Sequence, residues 1–167
     1  MFKIALIGKK YVDTIVNTPS VAFNKTNECD KITKRLGGVH NLLDVRDEDV
    51  IMIPKEVGAK EAIVINETNH SRRTSFVLTS EPSIIKEEDI NNINETFSWA
   101  HVCYLDDIEH YDALLKLRIP FSLDFCTDKP REEYTKIMKR AEVLFDSRER
   151  KNLYDDICLT SPMVLHD

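Results

Sequence analysis

His101-Val102-Cys103-Tyr104-Leu105-Asp106-Asp107, Phe121-Ser122-Leu123-Asp124-Phe125 and Glu142-Val143-Leu144-Phe145-Asp146 are three short apolar runs, each meeting an acid at its end. Between them lie Ile108–Leu117 and Arg131–Ala141, both of helical composition, the second with Pro130 at its first turn. Ser147–Tyr154 predicts one more helix and Met163–His166 a last strand. Short apolar strands alternating with helices are the pattern of βαβ units in a parallel sheet. The fold class read from this half is α/β, a parallel sheet flanked by helices.

The first half reads differently. Phe2–Ile7 is an opening strand that ends at Gly8, and Tyr11–Val16 predicts a second. Asn17–Asn27 is polar, carries Pro19 and reads as a loop. Leu36-Gly37-Gly38 leads into one or two helical turns over Val39–Val45, and Val50–Ile53 is a strand closed by Pro54. Ala62–Asn66 and Thr74–Leu78 form a β-hairpin around Glu67–Arg73, a loop too long for a tight turn. Thr74, Phe76 and Leu78 share one face of the second hairpin strand, while Ser75 and Val77 share the other. With no repeat, low-complexity stretch or linker, residues 1–167 read as a single domain. Met163–His166 ends the sequence without a crossover helix, so the expectation is that part of the unit is missing.

Composition narrows the function classes. Hydrophobic residues are 42% and charged residues 31%, which excludes a disordered tail and a membrane protein. Lys and Arg number 23 against 29 Asp and Glu, a net charge of −6 with no basic run. That balance argues against nucleic acid, whose phosphates must be neutralised. The four glycines are Gly8, Gly37, Gly38 and Gly58, so no Gly-rich phosphate loop exists beyond residue 58. The four cysteines share no C-x-x-C spacing, and Cys103 and Cys126 read as buried free thiols. No signal-peptide core and no membrane-length apolar run is present, so the expected location is the cytoplasm.

Several residues carry two readings. The acids at the strand ends, Asp106, Asp107, Asp124, Asp146 and Asp167, suit a metal ion, a phosphate held through Mg²⁺, or substrate hydroxyls, because ligands of open α/β sheets sit there. All but the last also suit helix N-caps. Gly37-Gly38-Val39-His40-Asn41 either brings backbone N–H groups against a ligand or simply turns the chain. His40 shares that ambiguity, whereas His101 reads as a structural histidine. Arg72-Arg73 either holds a phosphate or is solvated, and Glu132, Glu133, Lys136 and Lys139 form an exposed helix face.

Taken in order, the opening strand with Gly8 and Asp13, the Gly37-Gly38-x-x-Asn41 element, the hairpin and the alternating βα units resemble the ribokinase-like carbohydrate kinases of the PfkB family. Ile119–Phe125 resembles the family's strand ending in Asp, and Ala141–Glu149 is similar to its Asn-x-x-Glu element with Asp146 in the Asn place. The resemblance implies sugar or nucleoside binding by Asp13, Gly37, Gly38, Asn41 and Asp124. It implies Mg²⁺ organised by Asp146 and Glu149, ATP as the phosphoryl donor, and a lid at 62–78 that often forms a homodimer interface. Family members are longer, with a further helix and strand between Asn41 and the hairpin. Beyond the strand resembling Met163–His166 they carry a Gly-Ala-Gly-Asp motif that supplies the anion hole and the base. The sequence ends before that motif, so no catalytic residue is assigned and no turnover is expected of the chain alone. The alternative is a non-catalytic ribokinase-fold binding or scaffold protein that dimerises through the lid. Convergence of Asp13, Asn41 and Asp124 on one cleft favours the first; an apolar lid face suffices for the second.

Overall fold

The computed structural model of the chain describes residues 1–44, 47–105, 109–124, 134–147 and 162–166. Two long strands organise it. β1 (Phe2–Thr18) and β3 (Val50–Glu67) run parallel and adjacent, from the Phe2–Val50 pair to the Thr18–Glu67 pair. Both are dense in Ile and Val, side chains that suit a pleated, half-buried surface. In the lower half, Ile4–Ile7 of β1 pairs in parallel with β5 (Trp99–Val102). β6 (Phe121–Asp124), β7 (Val143–Ser147) and β8 (Met163–His166) follow, all parallel. In the upper half, Lys10–Asn17 pairs antiparallel with β2 (Lys31–Gly38), and Lys60–Glu67 pairs antiparallel with β4 (Arg72–Ser80). The order is β4-β3-β1-β5-β6-β7-β8, with β2 beside β1. The expected α/β class holds, its parallel body extended by a smaller upper sheet.

The two halves join at Gly8. There the β1–β3 register slips, between Gly8 and Lys10. A Cβ at Gly8 would stand 2.0 Å from the Cys103 carbonyl oxygen and 2.8 Å from Val39 Cγ1. Only a residue without a side chain allows so close an approach.

Helices α1 (Glu87–Thr96), α2 (Glu109–Leu114) and α3 (Thr135–Met138) cover one face of the body. The steps from β5 to β6 and from β6 to β7 go in one direction, so right-handed crossovers fall on the same side. Ala5, Ile7, Val102, Leu123 and Leu144 of the strands meet Ile90, Ile93, Leu114 and Met138 of the helices in the main core. In α1, Ile90 and Ile93 form the apolar stripe, and Glu87, Glu88 and Asp89 suit the positive end of the helix dipole. Alternate strand residues, Leu6, His101 and Ser122, look to the opposite face. There a 3-10 helix, Val39–Asp44, seats Val39 with Leu6 and Cys103. No described helix is long and apolar enough to cross a membrane.

The structure corrects several boundaries. Phe2–Ile7 and Tyr11–Val16 are one strand, because the register shift, which sets Val57 and Gly58 of β3 against Lys9 alone, leaves β1 paired on both sides of it. Val50–Ile53 and Ala62–Asn66 are also one strand. Pro54 is tolerated because this part of β3 pairs with β1 on one side only, and an edge strand survives a missing N–H. The hairpin is longer than expected, its loop reduced to Thr68–Ser71. Its two strands lie in a four-stranded upper sheet. The strand expected to end at Leu105 ends at Val102, and among the described residues the helix expected to end at Ala141 is regular over Thr135–Met138. Ser147 closes β7, and the rest of the expected Ser147–Tyr154 helix lies outside the described residues, as do Asp106, Asp107, Cys126, Pro130, Glu132, Glu133, Glu149 and Asp167.

Candidate functional site

Asp13 sits on β1 within the upper sheet, with only 5% of its surface exposed. The β1–β2 ladder sets Arg35 opposite Asp13, Gly37 opposite Tyr11 and Gly38 opposite Lys10. A Cβ at Gly37 would stand 3.0 Å from Asp13 Oδ2, 3.4 Å from Tyr11 Cβ and 3.7 Å from Asn41 Nδ2. Asp13 and Asn41 therefore meet at one point, and Gly37 keeps that point clear. Gly38 has φ +62, and a Cβ there would lie 2.1 Å from the Lys9 carbonyl oxygen. That conformation favours glycine and turns the chain from β2 straight into the 3-10 helix that carries Asn41 back to Asp13.

Other side chains close the corner. The Tyr11 and Tyr104 rings lie 5.2 Å apart, so this face of the upper sheet reaches the segment after β5. Lys60 Nζ lies 5.2 Å from the Tyr11 ring centre. His40 Nε2 is 2.6 Å from Glu56 Oε1, and Lys10 Nζ is 3.9 Å from Glu56 Oε2. His40 thus ties the 3-10 helix to β3 rather than joining Asp13. Sequence reasoning missed Tyr11, Tyr104, Lys60 and Arg35. The one local signal was the two-residue spacing of Tyr11 and Asp13, which puts both on the same face of a strand.

A long strand that leaves a parallel body to build a smaller sheet, with a Gly-Gly turn beneath it, is a specific architecture. Ribokinase from Giardia lamblia superposes with a TM-score of 0.69 at 9% identity, covering 98% of this chain and 69% of that one. Arabidopsis thaliana ribokinase, solved with ribose and ATP, gives 0.61 at 12% identity, over 92% of this chain and 62% of that one. Burkholderia thailandensis nucleoside kinase, solved with inosine, gives 0.55 at 11% identity, over 92% and 64%. The chain has the ribokinase-like fold. No family model and no curated sequence matches it. It spans less than two thirds of the length of the plant ribokinase and the nucleoside kinase.

Within this ribokinase-like fold, the remaining candidate acids stand apart from Asp13. Asp124 ends β6 on the face shared with Ser122 and is level with Phe145. Asp146, one residue further on β7, points to the opposite, helix-covered face and is fully buried. The pairing therefore does not bring Asp124 and Asp146 together, and Glu149 lies outside the described residues. Among the described residues no group of three or more His, Cys, Asp or Glu is placed to hold a metal ion. Asp124 falls in the row of Cys103 and Gly8, whereas Asp13 lies five residues beyond Gly8, ~16 Å along its strand at ~3.3 Å per residue. Beside Asp124, His101 Nδ1 is 2.8 Å from Ser122 Oγ, which also accepts a hydrogen bond from Trp99 Nε1 at 3.1 Å. Burial lowers the His101 pKa below its ordinary value, and the Asp124 charge opposes this in part.

Proposed function

We propose that the chain binds a sugar or nucleoside at Asp13, Gly37, Gly38 and Asn41, as the substrate-binding part of a sugar-kinase-like protein. Asp13 carries the reading. Asp13 is 5% exposed as a residue, and no hydrogen bond or ion pair joins its carboxylate to another described residue. Burying a carboxylate without partners is costly, and donors from a ligand would remove that cost. Adjacent sugar hydroxyls are such donors, each charge-assisted bond contributing ~1.5–3 kcal/mol. Asn41 both donates and accepts, which favours hydroxyl-rich ligands over apolar ones. The ribose and inosine bound to the solved relatives are the first candidates for this site.

Asp124 belongs to the phosphoryl side of the proposal, beyond the sugar. ATP and Mg²⁺ enter only through the likeness of fold. Asp146, enclosed in the core, is not set to ligate a metal ion on the Asp124 side. No glycine follows Gly58, so residues 59–167 hold no glycine-rich anion hole for a moving phosphoryl group. The deciding experiment is calorimetric titration of the wild type and Asp13→Asn with ribose and inosine. Asp13→Asn should weaken binding at least about tenfold, the loss of one charge-assisted bond. Equal affinities would refute the site. The same wild-type preparation should show no ATP-dependent phosphorylation, and sustained turnover abolished by EDTA would refute that half.

A second reading, a non-catalytic scaffold that pairs through the upper sheet in a cytoplasmic homodimer, draws on β4. Every residue of β4 is exposed, and Phe76, Val77 and Leu78 are each more than half exposed.

A further inference from the structure

The 3-10 helix that carries Asn41 is only six residues long, Val39–Asp44. Hydrogen-bond geometry within such a helix is poor, so its orientation depends on what holds its sides. Side chains at i and i+3 eclipse, which gives the helix three stripes. The first stripe, Val39 and Leu42, packs with Leu6, Cys103 and Met52. The second carries His40, whose Nε2 lies 2.6 Å from Glu56 Oε1 on β3. The third carries Asn41, whose Nδ2 would lie 3.7 Å from a Cβ at Gly37, with Asp13 Oδ2 3.0 Å from the same point. Apolar packing has no direction, so the Val39–Leu42 stripe alone lets the helix roll about its contact with the body. A hydrogen bond does have direction. The Glu56 carboxylate can only accept, so His40 Nε2 carries the proton and donates it. That bond fixes the roll, and with it the side of the helix on which Asn41 stands.

Glu56 is anchored for this task. The β1–β3 ladder sets it opposite Gly8, against which Val39 packs. It is the last residue of β3 paired before the register slip, so it belongs to the parallel body, whereas Asn41 meets the upper sheet. Lys10 Nζ, 3.9 Å from Glu56 Oε2, steadies the other carboxylate oxygen. The Glu56 side chain is 41% exposed, and ion pairs so exposed contribute little to stability. We infer that Glu56 is a positioning residue of the Asp13 site, acting through His40 to hold Asn41 where it shares a ligand with Asp13. This rests on the reading of Asp13 and Asn41 as sugar contacts.

The test is calorimetric titration of the intact chain with ribose and inosine. Wild type, Asp13→Asn, Glu56→Ala, Glu56→Gln, Asn41→Ala and the double variant Glu56→Ala/Asn41→Ala are compared. Glu56→Ala should weaken binding about three- to tenfold, the range of one ordinary hydrogen bond, while its Tm stays within about 2 °C of wild type. Glu56→Gln keeps an acceptor for His40 and should retain wild-type affinity. Adding Glu56→Ala to Asn41→Ala should cost nothing further, because both remove the same contact. In the free protein, the Asn41 side-chain amide resonances should shift in Glu56→Ala and stay in place in Glu56→Gln. Wild-type affinity in Glu56→Ala overturns the inference, and the sugar site still stands if Asp13→Asn weakens binding. Additive losses in the double variant, no rescue by Glu56→Gln, unmoved Asn41 resonances in Glu56→Ala or a larger fall in its Tm also overturn it. If neither ligand binds the wild type, the sugar-site reading fails and this inference with it.

Discussion

Gly8 of β1 packs directly on the carbonyl oxygen of Cys103, the residue that follows β5. This contact sets how closely β1 approaches the end of β5 at the level where the upper sheet departs from the body. Gly8→Ala would place a methyl group 2.0 Å from that oxygen. Neither neighbour can yield cheaply, since one is backbone and the other, Val39, is fully buried. We expect a loss of about 3 kcal/mol or more, at the upper end of overpacking effects, measured by urea denaturation. A change below about 0.5 kcal/mol, typical of a surface substitution, would show that the join is looser than the structure has it.

His101 gives the fold a pH dependence of known sign. Its pKa is lowered in the folded state by burial, so near pH 6 the unfolded chain binds more protons than the folded one. Its contribution to stability is complete above the unfolded histidine pKa of ~6.5 and is lost as pH falls below it. The expected result is a wild-type Tm that drops between about pH 7 and pH 5 by more than that of His101→Gln, which cannot titrate there. Parallel pH profiles for the two proteins would contradict it.

The open β4 strand predicts self-association. Ile32 and Leu36 on β2 are 59% and 49% exposed, and Phe76 on β4 is 52% exposed. Alternation and register put all three on the face of the upper sheet opposite Asp13. The outer edge of β4 has no neighbouring strand among the described residues, and such edges tend to be paired or covered. Phe76→Glu should shift a dimeric wild type to monomer in light scattering, without loss of Tm. A wild type that stays monomeric at high concentration would remove the scaffold reading.

Much of this architecture was legible locally. The apolar runs at Phe2–Ile7, Phe121–Asp124 and Val143–Asp146 declare strands because burial on both faces needs continuous apolar sequence. Gly37-Gly38 declares a turn because a positive φ favours glycine there. Asp13 and Asn41 could be named as partners only through the order of motifs, since 28 residues separate them. β2 was missed because Lys31-Ile32-Thr33-Lys34-Arg35-Leu36 is mostly polar and becomes a strand by pairing with β1. α1 was missed because only Ile90 and Ile93 in it are buried, too few for a visible period.

The sequence by itself determined the α/β class, the glycine turn and the lack of a glycine-rich loop within residues 59–167, because each depends on residues close together in the chain. Tertiary pairing alone decided the rest. It merged Val50–Ile53 with Ala62–Asn66 through Pro54, since only an edge position excuses the missing N–H. It sent Asp124 and Asp146 to opposite faces, since a one-residue offset in a ladder reverses the side of the sheet. It also set Arg35 opposite Asp13 and Lys60 opposite Tyr11, because a strand's neighbours depend on which distant segments share its hydrogen bonds, and spacing along the chain does not record that.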